Sequence, residues 1–322
     1  MNLRVVLVTL SLSCSMMTDV ARAGFEEGLA AAKRQDFATA LREWEPLAAQ
    51  GNASAQFGLG AMYSDGKGVP QNHQEAVKWF RLAADQGNAS AQFGLGTMYS
   101  NGKGVPQNHQ EAVKWFRLAA DQGDANAQHR LGLKYIAGQG VPQDHREAVK
   151  WFRLAAQQGH VRAQFLLGSM YGSGEGIPRD LKEAAKWYRL AADQGDSYAQ
   201  YRLAEAYRMG RGVPWDDKEA VKWFRLAADQ GDEDAQFKLG LSYANGYGVA
   251  PDRVVAYALY NLSAANNLSK VSEAATSRAK LSEYMSAKEI EAAQALTREI
   301  SKPGNLQKAL DSYSRKSAAR KK

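Results

Sequence analysis

"GKGVPQNHQEAVKWFRLAADQG" fills residues 66–87 and returns unchanged at 102–123. Glycines beside a lysine, a histidine, a glutamate and a tryptophan suit either a duplicated active site or a unit that the chain stacks. Spacing separates the two. Ala-Gln recurs at Gln56, Gln92, Gln128, Gln164, Gln200 and Gln236, and Trp79, Trp115, Trp151, Trp187 and Trp223 keep the same step of 36 residues. Windows 52–87 and 88–123 differ only at Ala61/Thr97 and Asp65/Asn101. Tandem near-identity is the mark of a stacking unit, which buries its apolar face only against a neighbour.

Each unit reads as two helices. The first, near 53–64, places Ala55, Leu59, Gly60 and Tyr63 on one face, and Asn52, Asn88, Asp124, Asp196 and Asp232 precede it as N-caps. His160 breaks that capping series. Gly60 costs about 1 kcal/mol in mid-helix and so implies a close helix–helix contact. Gly66 then supplies a left-handed stop, and Pro70 prevents continuation. The second helix starts at Asn72, with Glu75 completing a capping box that recurs as Asp144/Glu147, Asp180/Glu183 and Asp216/Glu219. Its expected buried stripe is Ala76, Trp79 or Phe80, and Ala83.

The stretch "AQFGLGAMYSDGKGVPQNHQEAVKWFRLAADQG" resembles the Sel-one-like repeat, a branch of the tetratricopeptide superfamily with a longer inter-helix loop. The resemblance covers about residues 24–300 and implies an all-α, right-handed α-solenoid of stacked helix-turn-helix repeats. Residues 24–51 are similar to the family's N-terminal helical hairpin, with Ala40 and Trp44 in the places of Ala76 and Phe80. Six repeats follow at 52–87, 88–123, 124–159, 160–195, 196–231 and 232–267. The sixth departs from the pattern at Ala250, Val255, Leu259 and Asn267, as terminal repeats do. Residues 268–300 read as capping helices, with Ser286 and Glu289 forming a capping box. The family assembles complexes, and its exported bacterial members are tied to envelope processes, signalling or host contact. Some cysteine-rich members bind or hydrolyse β-lactams, but this chain lacks their cysteines.

Chemical motifs dissolve into the repeat. "GKG" lacks the glycine spacing of a phosphate loop, and its lysine becomes Gln139, Glu175, Arg211 and Tyr247. His73, His109 and His145 are copies of one polar position, replaced by Leu181 and Asp217 in later units, so no metal is expected. Glu75 and Lys78 have the spacing of a helix-surface ion pair. Catalytic residues and cofactors are therefore assigned to none.

One row stands apart. If the first helix lines an inner wall, as in tetratricopeptide folds, Phe57, Phe93, His129, Phe165, Tyr201 and Phe237 face it, beside a varied row of Ala61, Thr97, Leu133, Ser169, Glu205 and Leu241. Arg162, Tyr198, Arg202, Glu205 and Arg208 concentrate charge and hydroxyls where the repeats diverge most. Aromatics dominate binding hot spots, which makes these residues the candidate partner groove. Inter-repeat packing is the competing explanation of the aromatic row.

The termini carry the remaining signals. Arg4, an apolar run from Val5 to about Met17, and Ala21-Arg22-Ala23 read as a secretory signal peptide over 1–23, cut before Gly24. The run is too short to span a membrane. Cys14, the only cysteine, suggests a rival lipoprotein signal, but its leucine sits one place late. Residues 301–322 hold +6 of the chain's net +7, and residues 1–23 hold +1, leaving the body neutral. That excludes a basic stripe for nucleic acid. The tail is expected to be flexible and a weak tether to anionic envelope polymer. The expected protein is a periplasmic or secreted, monomeric, non-catalytic scaffold for a protein or peptide partner; the alternatives are a β-lactam-binding or β-lactam-hydrolysing enzyme, or a peptidoglycan- or carbohydrate-binding envelope protein.

Overall fold

A computed structural model describes residues 22–266 and 273–320, and among these every regular element is a helix. The expected signal peptide up to residue 21, with Cys14, Asn267 with the first residues of the expected C-terminal cap, and Lys321 and Lys322 lie outside the described residues. The chain divides into two compact units, Met1–Gln158 and Gly159–Lys322. In the first, α1 covers residues 22–33, followed by α2 (Phe37–Ala49), α3 (Ala53–Asp65), α4 (His73–Asp85), α5 (Ala89–Asn101), α6 (His109–Asp121), α7 (Ala125–Ala137) and α8 (His145–Gln157). The second holds α9 (Val161–Ser173), α10 (Leu181–Asp193), α11 (Ser197–Met209), α12 (Asp217–Asp229), α13 (Glu233–Asn245) and α14 (Arg253–Asn266), then α15 (Glu273–Ser282), α16 (Ala287–Ile300) and α17 (Leu306–Arg320). No helix among the described residues is long and apolar enough to cross a membrane.

Each unit is an α-solenoid of helix pairs. α3 packs on α4, α5 on α6 and α7 on α8 in the first; α9 on α10, α11 on α12 and α13 on α14 in the second. The pairing rests on small residues that admit rings. A Cβ on Gly96 would lie 2.7 Å from the Phe116 ring, so only glycine lets α5 and α6 close to that depth. Phe116 and the neighbouring Leu95 are almost wholly buried. Phe80, not Trp79, is the core residue of α4; Trp79 is half-buried and lies against the cluster holding Leu59 and Met62. Trp115, Trp151 and Trp187 are likewise half-buried, whereas Trp223 is buried in the core of the second unit.

The connectors also bind neighbouring repeats. Gly102 ends α5 in the left-handed conformation at φ 68°. Gly104, at φ 72°, meets a second constraint: a Cβ there would come within 2.2 Å of the His73 carbonyl oxygen of the preceding repeat. Asn72 caps α4 by accepting from the backbone N–H groups of Gln74 and Glu75 at 3.1 Å. The expected reciprocal half of that box does not form. The Asn72 N–H already donates to the Tyr63 carbonyl at 2.9 Å, which leaves Glu75 to pair with Lys78. The complete box occurs at Ser286 and Glu289. His160, the exception in the capping series, caps α9 through Nδ1, which accepts from the Ala163 N–H at 3.2 Å.

The Ala-Gln motif proves to be a buried relay. Gln122 Nε2 donates to Gln92 Oε1 at 2.7 Å, and Gln92 Nε2 donates to the Ala84 carbonyl of the preceding repeat at 3.2 Å. Gln158, Gln128 and Ala120 repeat this in the first unit, and Gln230, Gln200 and Ala192 in the second. A second link joins repeats outside the core: Arg81 donates to the Tyr99 hydroxyl, Arg117 to Tyr135 and Arg189 to Tyr207.

The C-terminal segment corrects the expectation of a flexible tail. Leu306, Ala309, Leu310 and Tyr313 fall at i, i+3, i+4 and i+7, and α17 buries that stripe in the core of the second unit. Asp229 Oδ1 accepts from the Leu306 N–H at 2.8 Å, and Arg225 donates to Asp311. Arg225 occupies the position that reaches a tyrosine in the earlier repeats, and here it bonds to α17 through Asp311 and the Gln307 carbonyl. Arg315 and Lys316 remain exposed on an ordered helix.

Replacing Gln92 by leucine deletes both relay bonds while preserving bulk, and the Ala84 carbonyl keeps only the Gly87 N–H of its own helix end. The expected loss is about 1–3 kcal/mol in urea unfolding. Gln74→Leu, on the exposed surface of α4, is expected to leave the unfolding midpoint nearly unchanged.

Candidate functional site

The six positions of the aromatic row are all half-buried. Each ring rests on the aromatic of its own second helix. In the first unit Phe57 lies 5.9 Å from Phe80, Phe93 5.9 Å from Phe116 and His129 6.1 Å from Phe152. In the second, Phe165 lies 6.0 Å from Tyr188, Tyr201 6.0 Å from Phe224 and Phe237 5.7 Å from Tyr260. One side of each ring belongs to the core and the remainder stays open to solvent. Packing and recognition thus share the same side chains. In the first unit the row begins at an apolar pocket of about 220 Å³, lined by Phe25, Leu29, Phe37, Trp44, Phe57 and Met62 among others.

In the second unit the predicted selectivity residues form two groups. Arg162 Nη1 lies 3.4 Å from Asp196 Oδ2, and its guanidinium sits 5.1 Å above the Tyr198 ring. Phe165 meets the same ring at 6.0 Å, and Tyr198 remains 54% exposed. The arrangement offers a cation, an aromatic face and a hydroxyl within one solvent-accessible cluster. Further along, Arg202 lies 5.8 Å from the Tyr201 ring centre, and Arg208 forms an ion pair with Glu205 at 3.1 Å. Burial, then Glu205 and Asp234, push the Tyr201 phenol up to about 12, so it remains a hydrogen-bond donor near neutrality. Burial also raises Tyr188, whose hydroxyl donates to Ser169 Oγ at 3.3 Å.

The histidine position is not the exposed polar site that the sequence suggests. His73, His109 and His145 are half-buried at the start of their helices. His109 Nδ1 lies 3.2 Å from Lys134 Nζ of the next repeat, and Lys134 also donates to Gln139 Oε1 at 3.0 Å. Lys134 is only 7% exposed. Sequence reasoning missed it, although the signal was present: Met62, Met98 and Met170 occupy the same position in other repeats. Among the described residues no group of three or more His, Cys, Asp or Glu side chains could hold a metal ion.

Burial, with Arg130 adding repulsion, lowers the Lys134 pKa from its usual value. Above the lowered value the unfolded chain still binds the proton, so stability rises with pH through that window and levels off near pH 10.4. Lys134→Met is expected to be more stable than the parent at pH 7. That advantage should shrink as urea unfolding is repeated towards pH 10.

Comparison with known proteins supports the repeat assignment. A family model described as the Sel1 repeat matches residues 53–88, 89–124, 125–160, 161–196, 197–232 and 233–268. The crystal structure of a Sel1 repeat protein from Oxalobacter formigenes is similar at 32% identity and a TM-score of 0.66, covering 79% of this chain and 99% of that one. The protective antigen c5321 of uropathogenic Escherichia coli strains, which displays an SLR fold, aligns at 25% identity over 91% of this chain and 86% of its own, with a TM-score of 0.38. An immunity protein, Pa5087, from Pseudomonas aeruginosa aligns at 20% identity over 67% of this chain and 82% of its own, with a TM-score of 0.38. No curated protein sequence matches the chain.

Proposed function

The chain belongs to the Sel1 repeat family of protein-interaction repeats, and we propose on that premise that it is an exported, non-catalytic scaffold that holds a peptide or protein partner on the faces of its first helices. The observation that carries this reading is the open side of the aromatic row, above all the cluster of Arg162, Phe165 and half-exposed Tyr198. Tyrosine and arginine are the residue types that concentrate binding energy in protein interfaces. The half-buried rings support recognition in a second way. Their rotamers are already fixed by the aromatic beneath them, so a partner orders little on docking.

Export is supported by the charged, apolar and small-residue pattern of residues 1–23. Cleavage before Gly24 keeps Phe25 and Leu29, which pack against the Trp44 cluster, in the mature chain. Intact-mass measurement of the exported protein is expected to place the new N-terminus at Gly24; a lipid-modified Cys14 would be the contrary result.

A photo-crosslinking residue at position 198 is expected to trap a partner in living cells, whereas the same residue at position 78, on the α4 surface, is not. Adding Arg162→Ser is expected to reduce the yield at position 198 without altering the circular dichroism spectrum. Equal yields at both positions would reject the helix-face site.

A further inference from the structure

The loop edge of the fourth to sixth repeats differs from that of the first three in a way that the stack does not require. In repeats one to three a glutamine follows the loop proline, and it fastens its own loop. Gln71, Gln107 and Gln143 donate through Nε2 to the carbonyls of Ser64, Ser100 and Ile136 at 2.8, 2.9 and 2.8 Å. Arg179 and Trp215 hold the same place in repeats four and five. Trp215 makes no such bond among the described residues, and it is 67% exposed. A fastening interaction has been exchanged for a large apolar ring in water, which lowers neither the energy of the loop nor that of the core.

The substitution has a counterpart on the adjoining loop. Between the two glycines of the connector stand Lys67, Lys103 and Gln139 in the first three repeats, but Arg211 and Tyr247 in the fifth and sixth. Adjoining loops touch at this level. A Cβ on Gly248 would lie 2.2 Å from the Asp217 carbonyl oxygen, which brings the chain beside Tyr247 against the chain just after Trp215. Gly212 meets Leu181 in the same manner, at 1.9 Å, and so brings Arg211 towards Arg179. Two successive junctions of the second unit therefore carry Arg179 with Arg211, then Trp215 with Tyr247. Tyr247 is 46% exposed, and Met209 beside the loop is 39% exposed.

We propose that this loop edge is a second docking surface, and that its occupant is a protein segment carrying carboxylates beside a leucine or phenylalanine side chain. Charge complementarity selects the occupant. Arg179 and Arg211 are exposed and form no ion pair among the described residues. Of the nearby carboxylates, Asp180 and Asp216 are committed to capping α10 and α12 and Glu175 has a partner of its own, which leaves Asp217 as the carboxylate on this edge outside a cap. Two unpaired guanidinium groups therefore share the loop edge with exposed Trp and Tyr rings, the combination enriched at protein hot spots. The surface lies on the loops and is separate from the helix-face row.

The test uses residues that the chain already tolerates at these places. W215Q/Y247K restores the glutamine and lysine of earlier repeats, and R179Q/R211Q restores their glutamines, so neither pair is expected to lower the melting temperature. The probes are a fluorescently labelled peptide of aspartates and glutamates around a central Leu-Phe, the same peptide with lysines in place of its acids, and phosphatidylglycerol vesicles. The full chain is expected to bind the acidic peptide alone, with a strong salt dependence. Each double variant should bind it at least about tenfold more weakly, equivalent to about 1.4 kcal/mol. R162S/Y198S, on the helix face, should bind it as the parent does. Undetectable peptide binding, equal binding by the loop variants, loss in the helix-face variant alone, or preferential binding of vesicles would each overturn the proposal.

Discussion

The glutamine relay is the interaction on which the stack depends. An amide side chain buried at 3–4% exposure must be satisfied on both of its ends, or it costs more than the apolar residue it displaces. Gln92 meets that demand with one partner from its own repeat and one from the repeat before. Hydrophobic burial alone would tolerate sliding of one helix pair over the next, because leucine and alanine accept many offsets. The relay does not, since its bonds close in one register. Ring-in-glycine packing, with Ala204 in the place of glycine in the fifth repeat, and the loop glycine pressed on the preceding carbonyl act in the same sense, through close approach rather than through hydrogen bonding.

Much of the fold was legible because the sequence repeats itself. A step of 36 residues, cap residues before each helix and paired loop glycines specify helix pairs without reference to a structure. The misreadings share one cause, which is contact between residues far apart in the pattern. The reciprocal capping bond looked available at Glu75 because nothing local shows that the Asn72 amide is already engaged by Tyr63. Trp79 and Phe80 compete for one inward direction, and only the position of Gly60 decides for Phe80. At the C-terminus a high count of lysines and arginines concealed an apolar stripe of four residues in α17.

The candidate site was legible in outline for a different reason. Departures from a repeated pattern are informative when the pattern itself carries the stability. Phe57 and its copies were placed by periodicity, but their double engagement with the second helix could not be read from one helix alone. Lys134 was visible as a methionine replaced, yet its meaning needed His109, which lies 25 positions earlier. Trp215 and Tyr247 likewise occupy two different places in the repeat, and only the meeting of adjoining loops makes them one feature.

The arginine–tyrosine links and their ending at α17 bear on how such a chain changes in length. Each of the first five copies brings its own arginine and tyrosine, its own pair of glutamines and its own loop glycines, so a copy of that kind inserted between two others finds every partner in place. The near-identical windows 52–87 and 88–123 have the form that such an insertion leaves behind. The last arginine is the exception, because Arg225 reaches Asp311 in a helix outside the pattern. The links thus allow copies to be added in the interior without changing the contact at α17. Diversity in reach can accumulate by duplication, and the terminal helix is the part that cannot be copied without closing the array.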